Sequence, residues 1–170
     1  MFDFDVLKVS VAEEQDEQEE ARRRAAALNT IHLDGPVTDV PRGPALTLAP
    51  ETAVATAIES MRKRRRGAAI VIRNHRPVGV ITDRDILGQA CAEVDDLWSV
   101  PVGAVMSPCI ESLRDTDTVG TALRSMCARR QWHLPIVCGR GLFLGALDIE
   151  DVSLWLRDRL TLLSIDAALS

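Results

Sequence analysis

Aromatic residues are scarce in this chain: three tryptophans, three phenylalanines and no tyrosine make up 4% of 170 residues. No row of stacking side chains interleaves with basic ones, so the platform that single-stranded nucleic acid needs is missing. Basic charge is not in excess either. Twenty Lys and Arg against 25 Asp and Glu leave −5, so a polyanion would need a local basic patch. No apolar run reaches the roughly 18 residues of a bilayer-spanning helix. The opening MFDFDVLKVS carries acids where a secretory leader carries bases, and no small-residue cleavage site follows an apolar stretch. The four cysteines (Cys91, Cys109, Cys127, Cys138) are 18, 18 and 11 positions apart with no CxxC pair, a spacing that suits neither a zinc cage nor a redox dithiol. Reduced thiols, a cytoplasmic location, no membrane contact and no metal are the expectations. Nucleophile-elbow, HExxH and P-loop motifs are absent too. Asp83 and Asp85 flank Arg84 at a helix start, so they diverge rather than converge on a substrate. No set of nucleophile, base and orienter forms, and catalysis is not expected.

What is present is an ordinary globular balance, 46% hydrophobic and 26% charged. Residues 12–29 are distinct, with acids first (Glu13, Glu14, Asp16, Glu17, Glu19, Glu20) and Arg22, Arg23 and Arg24 after them. That order suits a helix dipole, Glu19 with Arg23 and Glu20 with Arg24 are i,i+4 pairs, and Ser10 with Glu13 reads as a capping box. A solvated N-terminal helix is expected there.

From about Gly35 the sequence repeats. Val54, Ala57, Ile58 and Met61 form one apolar stripe, and Val119, Ala122, Leu123 and Met126 form the same stripe 65 positions later. Each helix is followed by an apolar β-branched run, 68–72 and 134–137, then a turn, 73–77 and 138–141. A second strand comes next, 78–81 and 142–147, and then a polar tetrapeptide opening another helix: Thr82-Asp83-Arg84-Asp85 and Asp148-Ile149-Glu150-Asp151. Short extended pieces, 45–48 and 110–113, precede each half. Half a chain of this size buries too little apolar surface to stand alone, so the two must pack together, with related clefts at the join.

GVITDRDIL (79–87) resembles the signature of the CBS domain, named after cystathionine β-synthase; VMSP (105–108) resembles the start of such a repeat, and HLPIV (133–137) its central strand. Residues from about 36 to 160 are similar to a tandem CBS pair, or Bateman module. The resemblance implies an α/β (α+β) fold of two pseudo-symmetric β-α-β-β-α repeats. With the extra helix the division becomes an N-terminal extension (1–34), repeat 1 (35–95), and repeat 2 with the C-terminal helix (96–170). It also implies a non-catalytic regulatory module that needs no cofactor and binds an adenine nucleotide (AMP, ADP, ATP or S-adenosylmethionine) between the repeats. A homodimer and an unidentified protein partner complete what it implies.

Gly79 to Asp85 fits the family's pattern for ribose phosphates, and the chemistry is sound in itself. A helix starting near Asp83 offers free N–H groups at its partly positive end. Thr82 can donate its hydroxyl to a phosphate, Arg84 can reach it bidentately, and Asp85 can accept from ribose hydroxyls. Val80 and Ile81 would bring apolar surface to the base. The same T-x-x-D is also a helix capping box, and both readings stand at this point. In the second half Asp148 replaces the threonine while Asp151 keeps the place of Asp85. Two like charges about 4 Å apart cost roughly 1 to 4 kcal/mol, so this cleft is expected to be empty or to hold a ligand without a phosphate there.

Other residues read as structural. Arg62 to Arg66 reads as a solvated basic helix end, with a phosphate-facing or nucleic-acid patch as the sharper alternative. His133 reads as a packed, hydrogen-bonded residue, His32 and His75 as loop residues, and Trp98 and Trp155 as cover for apolar surface. A ligand-free dimerisation or interaction module is the alternative to a nucleotide sensor.

Overall fold

The computed structural model describes residues 33–90, 99–108 and 111–169, with side chains described as far as residues 88 and 161 in the first and last stretches. The charged helix expected over 12–29, together with Cys91, Cys109, Trp98 and His32, lies outside the described residues.

Residues 34–153 form one compact unit. It contains β1 (Thr47–Leu48), α1 (Val54–Arg64), β2 (Ala68–Arg73), β3 (Arg76–Thr82) and α2 (Asp83–Ala90). These are followed by α3 (Val102–Val105), β4 (Ser107–Pro108), β5 (Leu113–Arg114), α4 (Val119–Arg129), β6 (His133–Val137), β7 (Phe143–Asp148) and the start of α5 (Ile149–Leu169). The β-α-β-β-α order therefore occurs twice, as the repeat predicts. The part of α5 from Leu154 onward falls outside this unit; within it the Arg159 guanidinium lies 4.3 Å over the Trp155 ring.

The expected helices form because their apolar residues fall on one face. Val54, Ala57 and Met61 of α1 are buried, as are Val119, Ala122 and Met126 of α4. The fourth member of the stripe differs: Ile58 is 37% exposed, so the core-facing stripe of α1 is narrower than the periodicity suggests. Both helices end alike. Arg65 and Arg130 occupy the left-handed region (φ 51° and 52°), and the next N–H bonds back across the last turn, Arg66 to Met61 at 3.0 Å and Gln131 to Met126 at 3.2 Å. This is a Schellman stop, and it turns the chain sharply into β2 and β6.

Strands β2 and β3 pair antiparallel from Ala68↔Thr82 to Arg73↔Arg76, with a bulge at Val71/Ile72. The turn is thus only Asn74-His75, both with positive φ, and the ladder extends into the segment 73–77 that the sequence marks as loop. Two positive-φ residues match the twist of a tight hairpin, which is why the strands continue so far. The sheets run β1-β2-β3-β4 and β5-β6-β7.

The two halves exchange their leading segments. Val102 N–H donates to Thr52 O (2.7 Å) and Val54 N–H to Val100 O (2.9 Å); in the counterpart, Val37 N–H donates to Asp117 O (2.8 Å) and Val119 N–H to Gly35 O (2.9 Å). All four positions of one crossing map onto the other by the 65-residue offset. Val102, from the second half, thereby enters the core of the first, with Val54, Ala57, Met61, Val71 and Ile81. In the same way β4 pairs antiparallel with β3, Gly79 opposite Pro108 and Val80 opposite Ser107. Val102 is wholly buried. Val102→Ala should therefore lower the unfolding free energy by about 1–3 kcal/mol in urea titration. It should do so in one cooperative transition, because the removed methyls belong to the core of the other half.

Candidate ligand cleft

No linker separates β3 from α2, so Thr82 closes the strand and Asp83 opens the helix. Strand alternation sends Val80 and Thr82 to one face and Ile81 to the other. Val80, Thr82, Asp83, Arg84 and Asp85 accordingly line a cleft of about 280 Å³. Ile81, expected beside the base, is instead fully buried in the core (0% exposed). Ser107 and Pro108 of β4 form part of the lining, brought there by the exchange. The chain leaving α4 supplies the rest: Arg129, Arg130, Gln131, Trp132 and His133.

The Thr82/Asp85 capping box is formed. Asp85 Oδ2 accepts from Thr82 N–H (2.8 Å) and from its hydroxyl (2.7 Å), while Asp85 N–H reaches Thr82 Oγ1 at 3.2 Å. Asp85 Oδ1 accepts from Ser107 Oγ at 3.1 Å. A carboxylate has about four acceptor sites, so Asp85 retains capacity for a hydroxyl of a bound molecule. The cap therefore leaves Asp85 able to accept from a ligand, but the single Thr82 hydroxyl proton is already donated to Asp85, so the expected Thr82 donation to a phosphate is not available in this arrangement. Arg129 is held by Glu111 (2.7 Å), which also accepts from Ser125 Oγ. Trp132 is 38% exposed at the cleft. Ser107, Arg129, Arg130 and Trp132 were not legible as site residues; only the VMSP motif pointed near one of them.

Asp151 lies elsewhere, in a recess of about 40 Å³ lined also by Arg66, His133, Ala146 and Asp148. That is room for a few waters. His133 and Asp148 sit directly opposite on β6 and β7, as Ala68 and Thr82 do on β2 and β3. The His133 Nδ1 to Asp148 Oδ2 distance is 2.7 Å. So where the first half has a small residue facing a hydroxyl, the second has an imidazole facing a carboxylate. Burial pushes the Asp148 carboxyl up, but hydrogen bonds from His133 and the Glu150 N–H, with the charges of His133 and Arg66, outweigh it and hold its pKa below the ordinary 3.8. Asp151 goes the other way. Burial, with the neighbouring Asp148 charge, raises it against the opposing Asp148 N–H bond and the charges of Arg66 and Arg42.

Residues 37–90 match the CBS domain family. An uncharacterized 17.7 kDa protein of Acidianus ambivalens is 31% identical over 111 residues, 64% of this chain and 65% of the relative. The chain spans 65% and 60% of the lengths of the two curated relatives it matches. Among solved structures, a CBS domain protein from Pyrobaculum aerophilum complexed with AMP superposes with a TM-score of 0.63 at 25% identity, covering 69% of this chain and 89% of that one. CBSX2 in complex with AMP gives 0.61 at 26% identity, covering 75% and 97%. The chain carries a CBS domain over residues 37–90 and has the fold of the CBS-domain pair.

Two predictions rest on this geometry. A Cβ on Gly79 would collide with the Met106 side chain and come within 2.9 Å of Ser107 O. Gly79→Ala should push β4 off β3, separate Ser107 from Asp85 and lower the melting temperature. Acid titration of stability separates the two acids of the recess. Asp148, lowered in the native state, contributes stability that is present above its unfolded value and lost as pH falls through its native one. Asp151, raised, opposes folding at neutral pH and is relieved as pH falls through its native value. Asp148→Asn should therefore lower the melting temperature at neutral pH and flatten its acid limb. Asp151→Asn, which keeps an acceptor oxygen for Asp148 N–H, should leave it equal or higher.

Proposed function

We propose that the protein is a non-catalytic regulatory module, cytoplasmic, that binds one adenine nucleotide in the Thr82/Asp85 cleft and passes its ligand state to a protein partner as a homodimer. Residues 35–95 and 96–170 are its two repeats and 1–34 an extension. One observation carries the reading: a single cleft joins a helix start, Thr82, Asp85 and Ser107 to arginines and an exposed indole. Its volume of about 280 Å³ is near the lower bound of ordinary ligand pockets. The two AMP complexes among similar folds support the choice of ligand.

In this reading the phosphate meets Arg84, because the amides of Asp83, Arg84 and Asp85 already donate to Gly67 O, Asp83 Oδ1 and Thr82 Oγ1; the ribose hydroxyls meet Asp85, and the base lies against Val80 and the Trp132 ring. Asp151 takes no part in phosphate binding. Its recess is small, and the neighbouring Asp148 presents a carboxylate where Thr82 presents a hydroxyl. One ligand per chain follows. The ligand acts by preferring one packing of the two halves over another, since equal affinity for both would shift nothing.

The self-satisfied Thr82/Asp85 box also fits a ligand-free dimerisation module, because the cap is complete without a guest. Thermal shift separates the two. At a hundred times its dissociation constant, AMP or ATP should add about 2.7 kcal/mol of stability, a rise of several degrees. Asp85→Ala should cost the apo protein about 1 kcal/mol through the lost cap and abolish that rise. Indifference of the wild-type protein to every adenine nucleotide would leave only the scaffold reading.

A further inference from the structure

We propose that the groove between α1 and α2 docks an acidic amphipathic helix of a protein partner, with Ile58 and Leu87 as apolar anchors and Arg62 and Arg65 as the charged rim. The inference takes up the protein partner of the reading above and rests on that part of it alone.

Ile58 of α1 and Ile86 and Leu87 of α2 line one open groove of about 400 Å³. Ile58 is 37% exposed and Leu87 63%, so branched aliphatic side chains of two helices meet solvent in the same place. A single exposed leucine needs no explanation, but apolar residues gathered in a groove with a polar rim mark an interaction site. A second hollow of about 330 Å³, lined by α1 from Ala55 to Arg62, shares Ile58 and Arg62 with the first. The depression therefore follows α1 for roughly two turns. Over that length a docked helix presents anchors at i, i+3, i+4 and i+7.

Charge selects the occupant. Arg62, Arg65 and Arg66 line the groove against one acid, Asp83, whose Oδ1 already accepts from the Arg84 N–H at 2.8 Å. Glu59 is bound to Lys63 at 2.7 Å, and among the described residues no carboxylate lies within ion-pair distance of Arg62 or Arg65. A partner carrying carboxylates beside an apolar stripe gains charge-assisted bonds at this rim. A second copy related by a two-fold axis would instead bring two such arginine rims together, because an isologous contact pairs a patch with itself. Single-stranded nucleic acid would need a stacking surface, and the floor is aliphatic. Asp83 lines both this groove and the Thr82/Asp85 cleft, so α2 offers its start to the ligand and its flank to the partner.

A displayed library of random helical peptides of about 18 residues, selected against the full chain, tests this. It should enrich acidic sequences with an apolar i, i+3, i+4, i+7 stripe. In fluorescence anisotropy the best of them should bind the wild-type protein, and Leu87→Asp should weaken it roughly tenfold or more. Leu87 is largely in solvent, so that variant should keep the wild-type melting temperature. Arg62→Glu should also weaken the peptide and should prefer its counterpart with glutamates replaced by lysines. No enrichment, enrichment of basic or neutral sequences, or binding unchanged in Leu87→Asp would overturn the proposal. Retention of a poly-dT oligonucleotide through Arg62 would do the same. So would a wild-type dimer that Leu87→Asp turns into a monomer in sedimentation, since the groove would then belong to a second copy. Peptide binding by a protein indifferent to adenine nucleotides would remove the sensor reading and leave the docking surface standing.

Discussion

The crossing of two short backbone segments is the constraint on which residues 34–153 depend. Four main-chain hydrogen bonds, two at Val54/Val102 and two at Val37/Val119, tie the beginning of each half to the first helix of the other. Neither half could bury enough apolar surface by itself. The crossing solves this by placing Val102 in the first core, and it also seats β4 along β3. The cleft follows from that seating, because Ser107 reaches Asp85 only once β4 has paired. Stability and site geometry therefore share one set of contacts.

On this common scaffold the two clefts have diverged by a pair of facing residues. Ala68 opposite Thr82 leaves open space and a hydroxyl; His133 opposite Asp148 fills the equivalent space with a charge-assisted contact. The cross-strand position makes the exchange self-consistent, since side chains directly opposite on an antiparallel ladder are near neighbours. A carboxylate placed alone at that position would be costly. Paired with an imidazole and near Arg66, it is held ionised, and the recess shrinks to the size of a few waters. His133 is a lining residue of both cavities.

Much of the fold was legible locally. The stripes Val54/Ala57/Met61 and Val119/Ala122/Met126 announce their helices because a period of 3.6 is written in neighbouring residues. The tetrapeptide Thr82 to Asp85 announces its cap for the same reason, its partners being three positions apart. Ile58 misled, because the period tells which face a residue occupies but not whether another element arrives to cover it. Ile81 misled differently: composition placed it with Val80, whereas strand alternation turns the two apart. Ser107 and Asp85, 22 positions apart, carry no local sign of their meeting.

The sequence by itself determined the duplicated β-α-β-β-α order, the helix start at Thr82/Asp85 and the break in symmetry at Asp148, since each is a pattern among residues close along the chain. Tertiary structure alone decided that the halves exchange their leading segments, that Arg129, Arg130 and Trp132 line one cleft with Thr82, and that His133 meets Asp148. Those meetings depend on strand register and on which half lends its segment to the other. Both are set by packing over long separations rather than by any local preference.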